Sequence, residues 1–201
     1  DLDWEALSSH QWPEYETMIK ALGPALHKEG LLLSSAQAMD SPLSAEAFSH
    51  LDRLNLMAYD RGATANSQSS FADCADYAIK HFVNDLMVPR EKLILGLPWY
   101  SNTFDGNGSV TQWSSAGWSQ IAPYLQEEDE EGNLIMDYGV NYHKGKSFNG
   151  PNLIRDKVVY AAKNRIGGVF CWVAHTDVDY SKPYSLARVT RETIDEYVIV
   201  K

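Results

Sequence analysis

Cysteine is scarce in this chain of 201 residues, which holds only Cys74 and Cys171. The two lie far apart and form no CxxC pair, so they give neither a disulfide framework nor zinc-site spacing. Both fall in segments that read as buried, and both are expected to be buried free thiols. Basic runs are missing as well. Lys and Arg total 17 against 27 Asp and Glu, for a net charge of −10. A field of that sign repels a phosphate backbone, so no nucleic-acid partner is expected. No apolar run approaches the roughly 18 residues that a membrane span requires, so no membrane partner is expected either. No signal peptide is visible, but the chain starts at Asp1 rather than Met, which implies a cut N-terminus and empties that absence of meaning. No glycine-rich phosphate loop follows any strand-like run. His143 and the other histidines show no metal-ligand spacing. No metal and no cofactor are expected.

What the chain does have is an alternation of two kinds of segment. Apolar runs at 31–36 (LLLSSA), 54–59 (LNLMAY), 92–98 (KLILGLP) and 167–174 (GGVFCWVA) read as buried strands. Between them, 17–30, 71–88, 151–166 and 185–198 carry helical spacing. Pro89 follows the second of these helices. Pro151 opens the third, and Gly167–Gly168 close it. Strands apolar on both faces, each followed by a helix, predict a parallel sheet covered by helices. Without a phosphate loop, a (β/α)8 TIM barrel is favoured over a doubly wound sheet. Four strands and one strand end, at residues 1–4, are too few for a whole barrel of about 250 residues. The expectation is a second half-barrel forming one partial domain over 1–201. Residues 101–148 break the rhythm and read as an insertion, with a short helix (SAGWSQIAPYLQ) and a β stretch (NLIMDYGVNYH). The acidic run Glu127–Glu131 within it is expected to be a solvated loop.

The chain opens on DLDWE. If this segment ends a strand, Asp1, Asp3 and Glu5 share one face, because side chains alternate with period two. Like charges that close disfavour full ionisation. A carboxylic acid that keeps its proton near neutral pH is what a general acid needs. Strand C-terminal ends are also where barrel enzymes place their chemistry. Two other readings fit the same residues: a site for a hard cation, which prefers carboxylate oxygens, and an exposed acidic terminus with no role.

Three further stretches bear on that choice. One strand ends MAYD (57–60), the next GLPWY (96–100), and the last runs GGVFCWVAHTD (167–177). DLDWE resembles the end of the DxxDxDxE signature of glycoside hydrolase family 18, the chitinases and endo-β-N-acetylglucosaminidases. MAYD resembles that family's M-x-Y-D at strand six, GLPWY its G-x-P-x-Y at strand seven, and GGVFCW its G-G-x-x-x-W at strand eight. The motifs stand in the family's order and cover essentially the whole chain.

The resemblance implies a retaining hydrolase of β-1,4-linked N-acetylglucosamine in chitin or chito-oligosaccharides. In that family the substrate's own acetamide is the nucleophile. Glu5 would be the general acid and base. Asp3 would orient the acetamide, and Asp1 would share a proton with Asp3. Tyr59 would donate its hydroxyl to the acetamide carbonyl. Asp60 would bond a sugar, although a helix N-cap is an alternative for it. Met57 would line the pocket floor, and Trp172 would cover the sugar's apolar face. Trp99, Tyr100, Trp113 and Trp118 are looser candidates for further subsites, with an interior or insertion-packing role as the alternative for each. His175 reads as a satisfied strand-end histidine. The outer Asp of the signature and the S-x-G-G stretch of strand three are absent. A separate N-terminal half-barrel is therefore an implied partner. The insertion is shorter than that of processive chitinases. Family membership suggests secretion. A lectin-like chitin binder or an inactive fragment is the alternative, and Glu5 argues against the lectin.

Overall fold

The computed structural model describes residues 1–60, 69–131 and 134–197. Helix α1 spans Trp12–Lys28, five residues ahead of the predicted start. Pro13 fits its first turn, where a missing N–H costs nothing. Strand β1 is Ser34–Gln37, and a short helix α2, Ala45–Ser49, leads to β2, Arg53–Leu56. The helix predicted over 71–88 is a composite. A π-helical turn at Phe71–Asp76 leads into α3, Tyr77–Lys80, and a second π turn, His81–Asp85, ends it. Strand β3 follows at Leu93–Pro98. After the insertion come α5, Pro151–Lys163, then β10, Gly168–Trp172, and α6, Leu186–Tyr197.

The main sheet has the order β1-β2-β3-β10, and every pairing is parallel. Leu2 adds a parallel bridge beside β1: its N–H donates to Ser34 O, and Ala36 N–H donates to Leu2 O, each at 2.8 Å. Spatial order therefore follows chain order from residue 2 to β10, without reversal. A doubly wound sheet reverses its strand order; an arc of a (β/α)8 barrel does not.

One face of this sheet is packed, and the other is open along β1 and β2. Leu54, Leu56, Leu93, Leu95 and Leu97 are fully buried, together with Cys74, Ala78 and Phe82 from the helical side. The alternate residues Ser34, Ala36, Asn55 and Met57 are half-buried and face away from the helices. The strands were predicted to be apolar on both faces; β1 and β2 differ, whereas β3 buries Gly96 and Pro98 on its second face as well. Leu31 and Leu32 are exposed and precede β1, which is a strand of small and polar residues. Cys74 is buried as expected, whereas Cys171 is only half-buried.

The insertion is more β than predicted. Strands β4 (Tyr100–Phe104) and β5 (Val110–Gly117) pair antiparallel. The predicted helix shrinks to α4, Trp118–Ile121, with a 3-10 turn at Ala122–Leu125. Strands β6 (Gln126–Glu128) and β7 (Leu134–Met136) form a hairpin. The acidic run is therefore not all loop: Glu127 and Glu128 lie in β6, and Asp129 Oδ1 accepts from Glu131 N–H in the turn. Strands β8 (Tyr142–His143) and β9 (Lys146–Ser147) complete a second sheet, order β5-β4-β9-β8. Trp118 fastens this unit to the main body. It is fully buried, and its Nε1–H donates to Tyr184 O at 2.9 Å. Among the described residues no helix is long and apolar enough to cross a membrane.

Candidate active site

Parallel strands deliver their C-terminal ends to one rim, and a cleft of about 440 Å³ lies there. Asp1, Asp3 and Glu5 line it, as do Met57, Tyr59, Asp60, Tyr100 and Trp172. A second hollow of about 430 Å³ adjoins it, sharing Glu5, Met57, Tyr59 and Asp60. A larger hollow, about 730 Å³, lies over α1 at Trp12, Glu16 and Lys20. It touches neither the carboxylate triplet nor any strand end, so the rim cleft is the better candidate.

The three carboxylates reach the cleft because the backbone runs beside β1 at Leu2. Asp1 is held there: its Oδ1 accepts from Ser34 Oγ at 2.7 Å and from Asn55 Nδ2 at 3.1 Å. Asp3 and Glu5 are exposed at the rim. Behind them lies a buried polar chain, in which Tyr15 Oη and Ser35 Oγ share a 2.6 Å hydrogen bond and Gln37 Nε2 donates to Ser35 Oγ at 2.7 Å. Burial above all pushes the Tyr15 phenol up; the Ser35 bond acts the other way, and the nearby Asp3 adds to the rise.

Tyr59 continues the alternation through Asn55 and Met57 and so joins the open face. Its ring sits edge-on to Tyr100 and Phe170, with centroids 6.1 and 6.5 Å away. Gly96 makes room for it, since a Cβ there would lie 2.8 Å from Tyr59 Cε1. Burial above all, then the charges of Asp60, Glu5 and Asp3, hold the Tyr59 phenol well above its ordinary range. The hydroxyl therefore keeps its proton and remains a donor at every physiological pH.

Asp60 has a left-handed backbone, φ +62°. Its carboxylate accepts from Tyr100 Oη at 2.7 Å and from Asn102 Nδ2 at 2.8 Å, and its own N–H donates to Ser69 Oγ at 2.9 Å. Among the described residues it is not the N-cap of the helical turn that follows. Ser70 holds that place, with its Oγ accepting from Asp73 N–H at 3.0 Å. Burial first, then Asp60, raise the Tyr100 phenol far above its usual range. Asn102 is held in turn, its Oδ1 accepting from Ser114 N–H at 2.9 Å.

Trp172 ends β10 with half of its surface open, 51%. Trp99 does not join it. It is 5% exposed, belongs to the core and does not line the cleft, which corrects its expected place at a subsite. The register explains why: Pro98 pairs with Trp172, so the next residue turns to the opposite face. The same alternation in GLPWY groups Gly96, Pro98 and Tyr100 and sets Trp99 apart, a signal already present in the sequence. Trp118 is core and Trp113 is exposed on β5. His175 is exposed in a 3-10 turn outside the cleft lining. Sequence reasoning missed Ser34, Asn55, Asn102 and Ser114. Asn55 was traceable as the polar residue of LNLMAY. Among the described residues, no three His, Cys, Asp or Glu side chains converge as metal ligands.

The chain is 32% identical to Endochitinase 1 of Metarhizium anisopliae over 63% of its length and 36% of that protein. It is 24% identical to Probable chitinase 2 of Drosophila melanogaster over 88% of the chain and 47% of that protein. The chain thus spans less than half the length of these curated relatives. In structure it resembles the GH18 chitinase ChiB from the chitin utilization locus of Flavobacterium johnsoniae, with TM-score 0.76 and 26% identity. That match covers 98% of this chain and 59% of the other. A plant class V chitinase from Cycas revoluta shares the fold at 20% identity and TM-score 0.73, over 96% of this chain and 66% of that one. The model of Glycosyl hydrolases family 18 matches residues 1–177, which includes every residue of the cleft. On that match, the chain belongs to glycosyl hydrolase family 18.

Proposed function

We propose that this protein hydrolyses β-1,4 linkages between N-acetylglucosamine units of chitin or chito-oligosaccharides, with retention and with the substrate's acetamide as nucleophile. The observation that carries the reading is the convergence in one cleft of Asp1, Asp3, Glu5, a protonated Tyr59 and the open face of Trp172. Two similar proteins are named as chitin-degrading enzymes, the Metarhizium endochitinase and the Flavobacterium chitinase.

The roles follow from the chemistry of each group. Trp172 covers the C–H face of the bound sugar and seats it. Glu5 gives its proton to the glycosidic oxygen as the bond breaks. The acetamide oxygen closes on the anomeric carbon, and positive charge spreads into the oxazolinium ring. Asp3 accepts the acetamide N–H and balances that charge, while Asp1 steadies Asp3. Tyr59 donates to the acetamide oxygen and keeps it aligned for attack. Glu5 then takes a proton from water as the ring opens. Asp60, Met57 and Tyr100 hold the flanking sugar.

The unreversed parallel order supports reading the sheet as strands four to eight of a (β/α)8 barrel. We assign residues 1–201 to such a partial catalytic domain, completed by an N-terminal half-barrel. We place the protein outside the cell, where insoluble chitin lies. The mechanism is tested by a matched pair of aryl chitobiosides, one with its reducing-side acetamide replaced by hydroxyl. The acetamide compound is expected to release aryl alcohol, and its partner to be inert. Equal turnover of both would rule out substrate assistance.

A further inference from the structure

Lys157 lies on α5, outside the cleft, and is fully buried. Its ammonium meets two neutral oxygens: Nζ donates to Ser69 O at 2.5 Å and to Asn149 Oδ1 at 2.6 Å. Burying a cation is costly unless strong, charge-assisted hydrogen bonds offset it. Here burial pulls the lysine down to about 8, with the nearby Cys74 acting the other way. A methionine or leucine would fill the same space without that penalty. The cost has to be matched by something the ammonium holds in place.

What it holds is the chain at Ser69, which is itself fully buried and left-handed, φ +52°. Ser69 Oγ accepts the N–H of Asp60, the other left-handed residue of this pair. Non-glycine residues in that region are strained and persist only where their surroundings fix them. Asp60 in turn aims its carboxylate at Tyr100 and Asn102 on the cleft wall.

We propose that Lys157 is a positioning residue, which clamps Ser69 from beneath so that Ser69 fixes the backbone of Asp60 and with it the Asp60–Tyr100–Asn102 wall of the cleft. The functional part of this inference rests on the glycosidase reading; the clamp itself does not.

Two variants of the full-length protein test it. Lys157→Met removes the clamp, and Ser69→Ala keeps the carbonyl that Lys157 holds while deleting the cap on Asp60. Amide hydrogen exchange is read at Asp60 and, as an internal reference, at Leu54 and Leu56 in β2. Both variants are expected to lose protection at Asp60 about tenfold while β2 keeps its own, a local opening rather than a global one. On an aryl chitobioside, both are expected to lose kcat/KM by up to about 100-fold, the scale of a displaced contact wall. A Lys157→Met protein that melts earlier yet keeps Asp60 protected and kcat/KM unchanged would overturn the proposal. If Lys157→Met does not fold, wild-type exchange and kinetics in Ser69→Ala overturn it equally. A wild-type protein without turnover would sink the glycosidase reading alone, and the exchange at Asp60 would still decide the clamp.

Discussion

Tyr59 shows how much a single residue's surroundings determine its chemistry. A tyrosine at a strand end is ordinary. This one is backed by Gly96, flanked by Tyr100 and Phe170, and faced by acidic side chains. Burial above all, and then those acidic neighbours, keep its proton in place, so the hydroxyl is able to donate. Tyr59→Phe is expected to fold normally and to lose about 100-fold in kcat, the usual effect of deleting one donor to a developing charge. Steady-state kinetics with a melting curve checks both halves of that statement. A loss confined to KM would mean that Tyr59 binds the ground state and the transition state equally. Asp60 teaches a related lesson. Its identity and its place after a strand were legible in the sequence. Its left-handed backbone and its clasp on Tyr100 and Asn102 were not, because Asn102 lies 42 positions away, at the start of the insertion.

At the scale of elements, β3 is tightly specified at one point. A Cβ on Gly96 would stand 2.5 Å from Leu56 O, 2.8 Å from Tyr59 and 2.9 Å from Phe170. The first of these is backbone of the neighbouring strand and has little room to yield. Gly96→Ala is expected to cost about 1–3 kcal/mol, as overpacking does, and to lower turnover by pushing Tyr59 out of line. Urea denaturation alongside kinetics would show both effects; a variant as stable and active as the parent would contradict the packing described. The strands themselves were legible because their apolar runs are too short for helices and alternate with stretches of helical spacing. Their exact starts were not: Leu31 and Leu32 look like strand yet stay outside it, and β1 is built of Ser, Ala and Gln. The second sheet was only partly legible. Its strands are as short as two residues, and its pairings join β4 to β9 across more than 40 positions. Local propensity carries no record of such partners.

At the scale of the whole molecule, the unbroken parallel order brings residues from opposite ends of the chain, Asp1 and Trp172, to one rim. The motif order was readable in the sequence because each motif is a few consecutive residues at a strand end. The polar supports Ser34, Asn55 and Ser114 were harder to find, since each acts across strands or loops. The open sheet face carries the carboxylates rather than a packed core. The proposed chemistry turns on Glu5. The most direct test is turnover of an aryl chitobioside by the full-length protein and by its Glu5→Gln variant, with chito-oligosaccharide affinity measured for both. The expected result is turnover lowered by about 10²–10⁴-fold, the range for a lost general acid and base, with affinity retained. Equal turnover in the two proteins would contradict the assignment of Glu5 and, with it, the proposed mechanism.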